Sequence, residues 1–191
     1  MQEVKESPFS SKFKKAMALM IVLLLLGLCF FYMSKGARIA RQTVLMPWIP
    51  ELGTYIAFAS LVGLVFAGRT FYSRPEGKSL KRLAESFFGG FCLSFFLSLN
   101  IYQVCVYLLP GDLVQYEAAY ELRFPGPSLG RTNRCEAGLG FKDLNTDRWI
   151  VLCTDNLELS ERRKRGMNAL WVTAHSNKLG SYIVRYEFIY K

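Results

Sequence analysis

Three long apolar runs constrain this chain more than any motif in it: Ala16–Met33, a run from about Leu52 to Gly68, and Phe87–Leu109. Each approaches or exceeds the roughly 20 residues that carry a helix across the hydrocarbon core of a bilayer. Three such runs in 191 residues, 51% of them hydrophobic, read as three transmembrane helices. They assign residues 1–111 to an N-terminal membrane domain and leave 112–191 for one small domain. About eighty residues is near the lower end of what holds a core unaided, so a covalent staple would help.

The first run has a basic front, Lys12, Lys14 and Lys15. It is long for the apolar region of a secretory signal, no A-x-A-like site follows it at once, and a second apolar run comes soon after. It therefore reads as a retained anchor.

The net charge of +9 is uneven. Residues 1–111 hold 12 Lys/Arg against 5 Asp/Glu, and residues 112–191 hold 12 against 10. The basic excess lies where loop charges orient a membrane protein, so no nucleic acid is needed to explain it. With the N-terminus inside, the inner segments carry Lys5, Lys12, Lys14, Lys15, Arg69, Arg74, Lys78, Lys81 and Arg82. The outer side carries Lys35, Arg38 and Arg41, with Arg123 beyond the third run. Nine against four places the C-terminal domain outside. The absence of any Asn-x-Ser/Thr sequence (Asn133-Arg-Cys is a marginal variant) fits a bacterial periplasm. The expected location is a bacterial inner membrane, with a cytoplasmic N-terminus and a periplasmic C-terminal domain.

The cysteines agree with that sidedness. Cys29, Cys92 and Cys105 lie within apolar runs, where a free thiol behaves as a small hydrophobe. Cys135 and Cys153 flank the turn-rich stretch Phe141–Arg148. A hairpin centred near Leu144 opposes Cys135 to Cys153, Ala137 to Val151 and Leu139 to Trp149, all on one face. Opposed residues are close enough to bridge, and a disulfide requires an oxidising compartment.

Within the membrane, Ala59, Gly63 and Ala67 recur at four-residue spacing in the second run, and Gly90, Ser94 and Ser98 in the third. Such strips let helix backbones approach closely. They serve either a partner interface or packing of the second helix on the third, and the short connection 69–86 favours the latter. Asn100 and Gln103 are three apart, on one face of a helix that continues through them. They form an intramembrane polar pair that needs partners. No Asp, Glu, Lys, Arg or His sits mid-span, which argues against a proton relay. Trp48, between Pro47 and Pro50, fits a bend at the membrane interface, and Arg74–Lys78 reads as a turn.

Beyond Pro110-Gly111, Val114, Tyr116, Ala118, Tyr120 and Leu122 alternate with polar residues, the period of a half-buried strand. Strands follow at 133–142, 148–154 and Asn168–Ala174, the last with Leu170 and Val172 inward. A fifth carries Tyr182, Val184, Tyr186, Phe188 and Tyr190, and a short helix fits within Asp155–Gly166. The expected fold is therefore a membrane α-helical part plus an all-β domain, a five-stranded antiparallel sheet or small OB-like barrel. Gly138 and Gly140 mark a bulge or a close backbone approach.

Catalytic signatures are missing. The one histidine, His175, has no evident acidic partner, the cysteines are too scattered for a metal site, and no phosphate-binding loop occurs. Asp143 and Asp147 flank the turn, where Asp is common. No enzyme, cofactor or metal is therefore expected. The run Arg162-Arg163-Lys164-Arg165 reads as a patch for an acidic partner or lipid phosphate, as a processing site, or as a solvated turn partly neutralised by Glu158 and Glu161. Arg185 and Glu187 would face out from the last strand. The expected function is binding of a protein partner in or at the membrane, as an immunity or exclusion factor that meets a toxin or incoming apparatus. The alternative is an accessory subunit of a secretion, transfer or envelope complex. A homo-oligomer is compatible with either. A disulfide between Cys135 and Cys153 predicts faster non-reducing gel migration that reductant and Cys135→Ser both abolish; identical mobility with and without reductant would refute it.

Overall fold

The computed structural model describes residues 8–73, 80–128 and 134–191, with side chains from residue 13 onward. Lys5, the turn signal Arg74–Lys78 and Asn133 lie outside the described residues. The elements run α1 (Pro8–Ala40), β1 (Thr43–Leu45), α2 (Glu51–Ser73), α3 (Leu80–Ser98), α4 (Ile101–Leu108), β2 (Asp112–Arg123), β3 (Ala137–Lys142), β4 (Trp149–Thr154), α5 (Asn156–Arg162), β5 (Ala169–Asn177) and β6 (Gly180–Ile189).

Three segments are long and apolar enough to cross a membrane, Phe13–Ala40, Glu51–Ser73 and Leu80–Leu108. By length and composition this is a membrane protein. The chain divides into two compact units, one up to Lys35 and one from Gly36 onward. In the first, the apolar side chains of α1 from Met17 to Phe31 are largely exposed, as an anchor surrounded by lipid requires.

α2 packs on α3 through the small residues of both helices. Ala59, Gly63 and Ala67 are buried on α2, and Gly90, Ser94 and Ser98 on α3. A Cβ at Gly63 would meet the Phe87 carbonyl oxygen at 2.9 Å, and one at Gly90 would meet the Phe66 ring at 3.0 Å. Each glycine thus makes room for a phenylalanine of the other helix. Thr70 Oγ1 also donates to Ser86 Oγ across the pair at 2.9 Å.

The third apolar run is not one continuous helix. Leu99 and Asn100 form a turn between α3 and α4. Ser98 Oγ bonds back to the Phe95 carbonyl at 2.9 Å in the last turn of α3. The Leu99 amide reaches Phe96, three residues back, rather than four. Asn100 therefore precedes α4 with φ −117° and ψ 14°, and does not share a helix face with Gln103 as expected.

The sheet has six strands, not five, in the order β1-β6-β5-β2-β3-β4, with every pairing antiparallel. It curls into a nearly closed, barrel-like form. The extra strand, β1, comes from the connection between the first two apolar runs and pairs with Gly180–Tyr182. At three residues it is too short to show alternation. The core lies inside the curl and includes Tyr116, Leu139, Phe141, Leu170, Val172 and Ile183. A second cluster, Leu45, Ile49 and Val106, joins β1 to α4.

The hairpin register differs from the expected one. Ala137 opposes Thr154, Leu139 opposes Leu152, and Cys153 opposes Gly138. This offset of three, being odd, moves Trp149, Val151 and Cys153 to the outer face, so that Ile150, Leu152 and Thr154 are buried. Burying Ile150 and Leu152 with Leu139 and Phe141 outweighs symmetry about Leu144. The disulfide joins Cys135 to Cys153 with Cα atoms 5.5 Å apart, but not as an opposed pair. Cys135 precedes β3 and exchanges backbone bonds with Gly126 and Pro127. A Cβ at Gly138 would lie 2.9 Å from both Pro127 Cδ and Val151 Cγ1, so this glycine admits the strap 126–127 over the sheet.

β6 also breaks its expected stripe. Ala174 opposes Ile183 while Thr173 opposes Arg185, so Val184 is an extra residue. Ile183 is buried, Val184 is 51% exposed, and Phe188 is buried again. For the helix pair, Gly63→Val should destabilise the protein by about 1–3 kcal/mol through overpacking. Gly68→Val, where nothing lies within 4 Å, should be near neutral. Thermal unfolding in mild detergent compares them, and equal midpoints would refute the packing argument.

Candidate functional site

A cleft of about 560 Å³ runs beside β6, lined by Arg162 at the end of α5 and by Arg185, Tyr186, Glu187 and Phe188. α5 forms here because Asp155 caps it, accepting from the Glu158 amide at 2.6 Å, and because Leu159 enters the core. Glu158 then holds the cleft wall. Its carboxylate accepts from Thr154 Oγ1 of β4 at 3.2 Å, accepts from Tyr186 Oη of β6 at 3.4 Å and pairs with Arg162 at 3.0 Å. Arg185 pairs with Glu187 at 2.6 Å across the outer face. The cleft therefore offers two guanidinium groups, each held by one carboxylate, above an aromatic wall.

The basic run divides. Arg162 joins the cleft with Arg185 and Glu187. Arg163 turns to β2, where its Nε donates to Tyr120 Oη at 2.7 Å and its guanidinium lies 5.7 Å from that ring. Lys164 and Arg165 are exposed in the turn before Gly166, which has φ +97°.

Buried polar contacts at the other end of the sheet were not visible in the sequence. Asp143, expected to flank a turn, is fully buried. It accepts from Tyr116 Oη at 2.6 Å, the Thr146 amide at 2.9 Å and Thr146 Oγ1 at 2.7 Å. The spacing Asp143-x-x-Thr146 is the only local hint. Two further bonds leave this turn: Asn145 Nδ2 donates to Ser181 Oγ at 3.1 Å, and Arg148 Nη1 to the Leu45 carbonyl at 3.2 Å. They fasten the β3–β4 turn to β6 and β1. Burial, then the hydrogen bond and charge of Asp143, push the Tyr116 hydroxyl above the usual tyrosine range. Burial raises Tyr182 and Tyr186 in the same direction.

The membrane polar pair separates. Asn100 packs on Gly36, whose Cβ would lie 3.0 Å from that of Asn100. Gln103 Nε2 donates to Glu51 Oε2 at 3.0 Å, tying α4 to the start of α2. His175 is half-buried, opposite Leu113 and Tyr182 in the sheet, and its Nδ1 has no hydrogen-bond partner. Among the described residues no cluster of His, Cys, Asp and Glu could hold a metal ion. No protein-family model, curated protein or solved structure matches this chain.

Because Tyr116 holds its proton more tightly folded than unfolded, its contribution to stability is complete below about pH 10. It is lost as pH rises towards the folded value. Absorbance titration of tyrosinate should show fewer ionised tyrosines in the folded than in the unfolded protein above pH 10, and Tyr116→Phe should narrow that difference. Identical titration of folded and unfolded protein would contradict it.

Proposed function

We propose that this chain is a multi-pass protein of a bacterial cytoplasmic membrane whose sheet domain, on the periplasmic side, binds a protein partner. Sidedness rests first on connectivity. β1 lies in the same sheet as residues 112–191, so the connection after the first span and the domain after the third share one side. Two crossings by α2 and α3 return the chain to that side. The bond between Cys135 and Cys153 suits an oxidising compartment, and the basic connection between α2 and α3 suits the cytoplasm.

Binding rests on the cleft, and its convergence of Arg162, Arg185 and Glu187 over aromatic side chains is the observation that carries this reading. Arginine and aromatic residues are enriched where proteins bind one another. The specific role is that of an immunity or exclusion factor, in which the partner comes from outside the cell. An accessory subunit of a membrane complex would instead have a partner encoded beside it.

A photoreactive phenylalanine analogue at Val184, Trp171 or Tyr190, all exposed on the sheet, should yield a discrete protein crosslink in intact cells. The same analogue at Phe30, in the first span, should not yield that product. No protein adduct from any sheet position would overturn the proposal.

A further inference from the structure

β6 has ten residues, but its outer neighbour β1 covers only three of them. Pairing ends at Thr43 with Tyr182, plus one bond from the Ile183 amide to the Gln42 carbonyl at 2.8 Å. From Arg185 to Ile189 the strand is paired with β5 on one side, with Val184 the unpaired extra residue before it. On the other side, none of the described residues forms a backbone bond with it. Unpaired strand edges are templates for another strand.

The cleft lies along this edge. Successive side chains of a strand point to opposite faces, so a hollow on one face touches alternate residues. Here four consecutive residues line it, Arg185 through Phe188. Only a hollow beside the backbone touches both sets. The opposite free edge, β4, contributes none of the residues that line it, and its ends are tied by Arg148 to Leu45 and by Thr154 to Glu158. The extra residue Val184 separates the two halves of β6, so that the paired half closes the sheet while the other half stays open.

We infer that the cleft accepts an extended segment of the partner polypeptide, which adds to Val184–Ile189 as a seventh strand. This rests on the binding role proposed above and names its mode. The four lining residues match a paired length of about four residues, at roughly 3.3 Å per residue. Tyr186 and Phe188 face inward, so every second side chain of the segment would be apolar. Arg185 and Glu187 face outward beside Arg162, and the next cations after Arg163 in the chain, Lys164 and Arg165, are exposed. The intervening side chains would therefore be acidic. Main-chain bonds supply affinity and alternate side chains supply selectivity, as in other strand additions.

The test uses the full chain in nanodiscs and a phage-displayed library of decapeptides. Selection should enrich alternating apolar and acidic residues. An enriched synthetic peptide should slow amide exchange within residues 184–189 at least tenfold. N-methylation of its alternate amides should weaken binding at least tenfold, and Arg185→Glu should reduce selection of acidic residues. No enrichment, equal binding of the N-methylated peptide, or protection confined to other strands would overturn strand addition. Protection of 184–189 by self-association without peptide would also overturn it, making a second copy the occupant. Peptides that protect another surface of the sheet would leave the binding role standing while removing this mode.

Discussion

The three bonded residues of β1 tie the helices to the sheet, beside the covalent link at Pro110-Gly111 and the contacts of α4 with Asn177 and Tyr182. Thr43–Leu45 pairs with the start of β6, and Leu45 packs with Ile49 against Val106 of α4. The Leu45 carbonyl also receives Arg148 from the β3–β4 turn. Strand pairing, helix packing and a cationic side chain thus converge on one short connection between two apolar helices. The second polar tie, Gln103 to Glu51, secures the same helix ends. In low-dielectric surroundings such bonds matter because their loss leaves a polar group without a partner.

The helices and most strands were legible because their signals are long. Apolar runs of membrane length and the period-two pattern from Val114 to Leu122 survive in any context. The small-residue strips were legible too, since Gly63 and Gly90 only make sense where another helix approaches. β1 was not legible, because three residues cannot show a period. The α3–α4 break was missed because Ser98, Leu99 and Asn100 are all tolerated in helices and the turn depends on backbone bonding. The hairpin register was misread because the cysteines suggest a direct pair, whereas Ile150 and Leu152 needed burial more. Cys135 could reach Cys153 from outside the ladder only because Gly138 lets the strap 126–127 lie flat.

The candidate site shows the same division. Arg185 and Glu187 were identifiable as outward residues of a final strand, and Arg162 as part of a basic run. Their meeting was not, because it depends on α5 folding back so that Glu158 reaches both Thr154 and Tyr186. Nor could the fates within Arg162–Arg165 be separated, since four adjacent cations look alike until the chain turns at Gly166. Asp143 carries the reverse lesson: an acidic residue in a turn is ordinarily solvated, and only Tyr116 and Thr146 make its burial sustainable.

The pairing of β1 with β6 also orders events in time. β1 leaves the ribosome some 135 residues before the strand it joins, at synthesis rates of about 5–20 residues per second. For that interval Val44 and Leu45 have no sheet to enter. The pairing forms only once Gly180–Tyr182 has followed. Premature termination anywhere between Leu45 and Gly180 leaves Thr43–Leu45 without its pairing strand, so a truncated chain is marked by an unpaired segment far from the truncation.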